Sequence, residues 1–246
     1  MTVAVVTGGT RGIGAAVARR LAGEGYDLVL GHRSDETAAR AVREEVAALG
    51  VRVETVCGDL LDDGVVEALF ATAADLGPVT GVVANAGTTE MFAPLAETPA
   101  DSVRRVVEVN LTATALVARA AVQAMSTRYG GSGGVLVTVS SGAATLGSPG
   151  EYVHYAAAKA GVDALTKGLG LEVADQGIRV VGVAPGLIET DLHAATGDPG
   201  RVQRMAPQIP VGRAGRPEEI ADAVAWLMSP AAGYVTATTL RVAGGR

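Results

Sequence analysis

Short apolar runs alternate with longer amphipathic stretches along this chain. Residues 3–7, 27–32, 52–57, 79–85, 134–140, 179–184 and 238–242 are mostly continuous runs of Val, Leu and Ile. Runs of that length and composition read as strands covered on both faces. Between them, residues 14–23, 35–49, 63–76, 100–128, 155–175 and 217–228 carry helical spacing. In 35–49, for example, Ala38, Ala41, Val42 and Leu49 recur at helical intervals, with Arg40, Arg43 and Glu44 between them. The alternation predicts an α/β fold: a doubly wound, seven-stranded parallel sheet, helices on both faces, right-handed crossovers.

No linker divides the pattern, so residues 1–246 read as a single domain. Residues 127–134 are rich in Gly and Ser, but they are few and join a helix to a strand. Residues 186–215 are the longest weakly patterned stretch and hold Pro199, Pro207 and Pro210. A segment of that kind suits a substrate lid, expected over about 188–212.

Composition narrows the function. The chain is 48% hydrophobic and 19% charged, which argues against disorder. Its net charge of −6 argues against a general nucleic-acid binder. A single cysteine, Cys57, excludes a disulfide framework, and His32, His154 and His193 show no ligand spacing, so no metal is expected. No apolar run is long enough for a membrane span. The first residues enter a strand-like run without a basic leader, so a cytoplasmic protein is expected. Of 20 basic side chains, only Lys159 and Lys167 are lysines, which makes both worth locating.

The first strand runs into Thr7-Gly8-Gly9-Thr10-Arg11-Gly12-Ile13-Gly14, and a helix follows. Glycines 8, 12 and 14 suit a tight turn that lets backbone approach a pyrophosphate. The helix N-terminus then offers free N–H groups to the phosphates. The second strand ends in Leu30-Gly31-His32-Arg33-Ser34, with no carboxylate before Asp35. An acidic residue there would bind the ribose of NAD; Arg33 and Arg11 instead suit the 2′-phosphate of NADP. Asp59 is placed either to accept from an adenine amino group or to cap the next helix.

Tyr155 and Lys159 stand four residues apart, on one helical face. An ammonium beside a phenol lowers its pKa, which suits acid–base work near neutrality. The fifth strand ends in Ser140-Ser141, where a hydroxyl can reach a substrate carbonyl. Asn110 interrupts a helical pattern, where asparagine is a poor helix former. Asn85-Ala86-Gly87 closes the fourth strand with small residues where backbone can approach a ribose.

This ordered set, with Pro185-Gly186 followed by Thr190, resembles the short-chain dehydrogenase/reductase family over essentially the whole chain. The resemblance extends to bacterial 3-ketoacyl-carrier-protein reductases and related alcohol and sugar dehydrogenases. It implies a Rossmann fold and hydride transfer between a nicotinamide and a carbonyl or alcohol. Tyr155 would donate the proton, Lys159 would lower its pKa and bind the ribose, and Ser141 (or Ser140) would hold the substrate oxygen. Asn110 would support a water-linked relay. Gly8, Thr10, Arg11, Gly12, Ile13, Gly14, Arg33, Asp59, Leu60, Asn85, Ala86 and Gly87 would bind the cofactor. Pro185, Gly186, Ile188 and Thr190 would line the nicotinamide carboxamide.

The chain departs from the family's pattern in Thr236-Ala237, where Thr-Gly is common, and in Ala243-Gly244-Gly245, where Asp-Gly-Gly is common. Arg128 matches a basic residue that grips an acidic carrier protein, but Leu171 stands where a second arginine would be expected. The leading expectation is an NADPH-dependent ketoreductase acting on a 3-oxoacyl group or another small ketone. The alternatives are an NAD-dependent alcohol or sugar dehydrogenase and a non-catalytic nucleotide-binding scaffold. The resemblance also implies a homotetramer or homodimer.

Overall fold

The computed structural model describes residues 2–190 and 200–246. Seven strands form one all-parallel sheet: β1 Val3–Thr7, β2 Asp27–His32, β3 Val53–Cys57, β4 Val79–Ala84, β5 Gly134–Val139, β6 Ile178–Pro185 and β7 Thr238–Val242. Their spatial order is β3-β2-β1-β4-β5-β6-β7. The chain therefore winds outward from β1 to β3, returns beside β1 with β4, and winds the other way. The crevice at that reversal, beyond the carboxyl ends of β1 and β4, is where such sheets bind ligands.

Helices α1 Gly12–Gly23, α2 Glu36–Ala47, α3 Asp63–Leu76, α4 Ala100–Val107, α5 Ala113–Met125, α6 Ala143–Leu146, α7 Val153–Glu172, α8 Arg201–Met205 and α9 Pro217–Met228 connect or flank the strands. Strand alternation divides the core in two. Ala4, Val6, Leu28 and Leu30 pack with Leu21, Val42 and Ile220 under α1, α2 and α9. Val3, Val5 and Val29 pack with Leu69, Val117 and Val173 under α3, α5 and the end of α7. Each fully buried leucine contributes roughly 1.5–3 kcal/mol.

Three expectations need correction. The buried face of α2 is Ala39, Val42 and Val46, while Ala41 is exposed. Leu49 lies beyond the helix and is 55% exposed. A one-residue offset gives almost the same apolar stripe, so spacing alone does not choose between them. The window 100–128 is not one α-helix: a π turn at Glu108–Thr112 separates α4 from α5, and α5 stops at Met125. The buried Ser102, Val106, Asn110, Ala113 and Val117 keep near-helical spacing through the turn, so the pattern shows Asn110 as a misfit but not the break itself.

Part of the expected lid, residues 191–199, lies outside the described residues, and so does His193. The rest of that stretch holds α8, a 3₁₀ turn Ala206–Gln208, and a bridge pairing Gly215 with Ile188. Among the described residues, no helix is long and apolar enough to cross a membrane.

Candidate active site

The glycine turn is built to bring backbones together. A Cβ at Gly14 would lie 2.0 Å from the Gly8 carbonyl oxygen, so no other residue fits there. No side chain caps the N-terminus of α1 and its first turn holds no acid, so its N–H groups face the crevice without a competing anion. Asn85 fastens the turn from the neighbouring strand. Its Nδ2 donates to the carbonyls of Thr7 and Gly8 at 3.0 and 3.1 Å. In return the Thr7 hydroxyl accepts from the N–H groups of Asn85 and Ala86 at 3.0 and 3.1 Å. The Asn85 amide is thus spent on the glycine turn, and the buried Thr7 joins the site as a positioning residue that the motif reading passed over.

A cavity of about 770 Å³ runs from this turn along the carboxyl ends of the strands. At one end stand Arg11, Arg33, Ser34 and Asp35. Asp35 caps α2 by accepting from the Ala38 N–H at 3.0 Å, and it lies 3.9 Å from Arg11. Asp59 and Leu60 line the same wall. Asp59 does not cap α3: that role belongs to Asp62, which accepts from Gly64 N–H. Asp59 instead accepts from Leu61 N–H and from Arg105, the latter at 2.7 Å. These hydrogen bonds hold its carboxyl below the usual range, against the opposing effect of burial. Arg105 comes from α4, 46 residues away, which no local pattern reveals.

At the other end the cavity is lined by Ser141, Tyr155, Lys159, Pro185, Gly186, Ile188 and Thr190. The two serines part company. Ser140 is buried and its hydroxyl donates to the Lys159 carbonyl at 3.2 Å. Ser141 is half-buried on the cavity wall, and its hydroxyl accepts from the Ala143 N–H at 3.1 Å. α7 places Tyr155 and Lys159 on one face, as their spacing predicts.

Their electrostatics differ from expectation. Burial pushes the Tyr155 phenol well above its ordinary value, and the nearby Ser141 hydroxyl only partly offsets this. Lys159 is buried too, and burial lowers its ammonium to about 8. Its Nζ donates to the Val139 carbonyl at 2.7 Å and stands 5.8 Å from the Tyr155 ring centroid. Desolvation governs Tyr155, so the expected lowering of its phenol is absent.

Asn110 sits inside the π turn, fully buried. Its Nδ2 donates to the carbonyls of Thr88 and Val106, and its Oδ1 accepts from Thr88 N–H. It ties the loop after β4 to the helix. A Cβ at Gly87 would lie 2.7 Å from Asn110 Oδ1 and 3.5 Å from Lys159 Nζ, so this loop needs glycine to pass between them.

The far wall adds residues that the motifs did not indicate. Arg201 of α8 forms a bidentate pair with Glu151 at 2.7 Å and lies over the rings of Phe92 and Tyr152. Tyr152 meets Tyr155 edge-on, with ring centroids 5.2 Å apart. Leu146, Leu187 and Met205 line this end of the cavity beside Tyr152 and the Arg201–Glu151 pair.

Known proteins share this architecture. Residues 8–246 match the family described as enoyl-(acyl carrier protein) reductase. An oxidoreductase of Escherichia coli K12 is 45% identical over the full length of both chains. A cis-4-hydroxycyclohexanecarboxylate dehydrogenase of Sinomonas cyclohexanicum is 43% identical, across 99% of this chain and 95% of that one. An actinorhodin polyketide ketoreductase solved with NADPH superposes with a TM-score of 0.91 at 35% identity, covering 99% of this chain and 96% of the other. The chain belongs to the short-chain dehydrogenase/reductase family of oxidoreductases.

Proposed function

We propose that this oxidoreductase is an NADPH-dependent carbonyl reductase acting on a small ketone. One observation carries the reading: Ser141, Tyr155 and Lys159 line a single cavity together with the glycine turn. When bound, NADPH supplies hydride to the carbonyl carbon.

The side chains do the rest. Ser141 donates to the substrate oxygen and orients it. Tyr155 delivers the proton to that oxygen as charge develops on it. Lys159 holds the ribose hydroxyls and returns a proton toward Tyr155. Asn110 positions the Thr88 loop and supports the water-linked relay. Tyr155 is protonated at neutral pH and so carries the proton that reduction consumes.

The dinucleotide fits the residues present. The glycine turn leaves room for a pyrophosphate against the uncapped α1 N-terminus, with Gly8, Thr10, Gly12, Ile13 and Gly14 around it. Arg11 and Arg33 hold the 2′-phosphate. Asp59 and Leu60 meet the adenine, Asn85, Ala86 and Gly87 the ribose side, and Pro185, Gly186, Ile188 and Thr190 the carboxamide. A second reading, NAD, draws on Asp35, whose carboxylate shares the same wall. Arg11 lies near that carboxylate, and α2 already uses it as a cap, so NADP is preferred.

Several residues bear on partners. Leu171 is exposed where a carrier protein would want a second cation, which favours a free small molecule over a carrier-bound substrate. Tyr234, Leu171, Trp226 and Leu240 are exposed, which suits assembly into a homotetramer or homodimer. The function is tested by turnover on a ketone panel with NADPH and NADH, with and without Arg33→Ala. We expect NADPH turnover that Arg33→Ala weakens roughly 10- to 100-fold in KM, about 1.4–2.8 kcal/mol, while NADH is unaffected. Equal use of both cofactors by the parent chain refutes the NADP assignment.

A further inference from the structure

His32 ends β2, Cys57 ends β3, and the parallel register pairs the two residues directly. Glu36 opens α2 four residues beyond His32. One ligand atom from each of His32, Glu36 and Cys57 lies within 4.8 Å of the other two. The His32 side chain is only 3% exposed. Neither of its ring nitrogens has a hydrogen-bond partner among the described residues, and Nε2 lies 3.4 Å from Glu36 Oε1. A buried imidazole in that condition is costly unless something completes it. Glu36 and Cys57 are both exposed, so the cluster opens to solvent on their side.

We propose that His32, Glu36 and Cys57 form a binding site for a thiophilic divalent cation of the Zn²⁺ type. The donor set makes the choice. Imidazole, thiolate and one carboxylate suit Zn²⁺ and its neighbours in the first transition row, whereas Mg²⁺ and Ca²⁺ call for oxygen donors. Three protein ligands leave the fourth tetrahedral position to water, on the solvent side.

Metal–ligand bonds of about 2.0–2.3 Å put tetrahedral donors roughly 3.3–3.8 Å apart. The His32–Glu36 separation of 3.4 Å already meets this. The remaining contraction falls to Glu36 and Cys57, whose side chains lie at the surface. The Cys57 thiol now donates to the Arg33 carbonyl at 3.3 Å. On binding, its proton leaves to solvent and a sulfur lone pair goes to the metal, with no change of oxidation state.

The site adjoins the nucleotide cavity, because His32 lines that cavity and Arg33 and Asp35 lie between two of the ligands. A bound cation therefore stiffens the turn that presents Arg33. This last effect rests on the NADP reading, whereas the cation site does not.

Co²⁺ tests the site because Cys57 is the chain's one cysteine. A sulfur-to-cobalt charge-transfer band can then arise only there. Titration of the untagged full chain is expected to give that band at one equivalent, with the intense visible bands of tetrahedral Co²⁺, and Zn²⁺ should displace it. Cys57→Ser should abolish the band, and Glu36→Gln should weaken binding at least tenfold. Both changes are at the surface, and circular dichroism checks that the chain stays folded. No charge-transfer band, or a band unchanged by Glu36→Gln, overturns the proposal. NADPH titration in parallel separates the two readings, since cofactor binding without a cobalt band refutes only the cation site.

Discussion

Lys159 donates to the carbonyl of Val139, at the end of β5, and not to the Tyr155 phenol four residues before it. The strand thus holds the ammonium at a fixed depth below the cavity, while Tyr155 keeps its proton because it is buried. The two groups share a helix face, yet each is governed first by desolvation.

For Tyr155, this sets a pH signature. The phenol stays protonated through the neutral range, so a fall in the reduction rate near pH 8 should track Lys159, and Tyr155 should contribute only in stronger alkali. Oxidation of the corresponding alcohol, which needs the deprotonated form, should rise with pH. Tyr155→Phe should lower turnover about 10²–10⁴-fold, with the cofactor Kd unchanged, as read by steady-state kinetics and fluorescence titration.

For Lys159, burial predicts a conflict between stability and activity. The unfolded chain titrates this ammonium at 10.5 and the folded chain at about 8. Between those values the unfolded state holds more protons, so stability should rise as pH climbs from about 8 toward 10.5. Below that window the whole cost applies, about 3 kcal/mol. Lys159→Met should therefore stabilise the ligand-free protein near neutrality by about 2 kcal/mol, after a loss of about 1 for the orphaned Val139 carbonyl. It should also abolish turnover. Lys159→Arg should lose most activity as well, since a forked guanidinium does not replace a compact ammonium. Lys167 is exposed, and Lys167→Arg should change nothing. Denaturant melts across pH and initial rates check each point.

At Asn85, the sign of the substitution matters. Asn85→Ala removes two donors and should weaken cofactor binding about tenfold, roughly 1.4 kcal/mol. Asn85→Asp should be worse, because a carboxylate would face the Thr7 and Gly8 carbonyls with no proton to offer. Calorimetric titration with NADPH should rank them in that order.

Ala237 takes a φ of 56°, in the left-handed region that disfavours a side chain. This is the position where the family pattern commonly has glycine. Ala237→Gly should raise stability by up to about 1 kcal/mol, since relief of strain outweighs the added chain entropy. Thermal unfolding should show a higher midpoint with unchanged kinetics.

Much of the fold is legible in the chain itself. Strands buried on both faces announce themselves as Val and Leu runs, and the crevice follows from the order of winding. Tyr155 and Lys159 are readable because one helix turn carries both, and Asn110 because it is a misfit among helix formers. Pairings across the sheet are not readable in that way. Arg105 with Asp59, Arg201 with Glu151, and His32 with Cys57 are joined only when strands register or loops fold back. The Tyr155 pKa escapes the sequence for the same reason: spacing reports a neighbour's charge, while burial depends on everything packed around it.

The bond between Asn85 and the glycine turn also bears on how the protein is made. Thr7 and Asn85 are 78 residues apart. A nascent chain that has released only β1, α1 and β2 has the phosphate turn's sequence but not the side chain that holds its shape. On this geometry the turn stays unlocked until β4 has left the ribosome and slotted in beside β1. Dinucleotide present during synthesis would find its grip late, after about a third of the chain has emerged, and would act on that step of assembly rather than on the first.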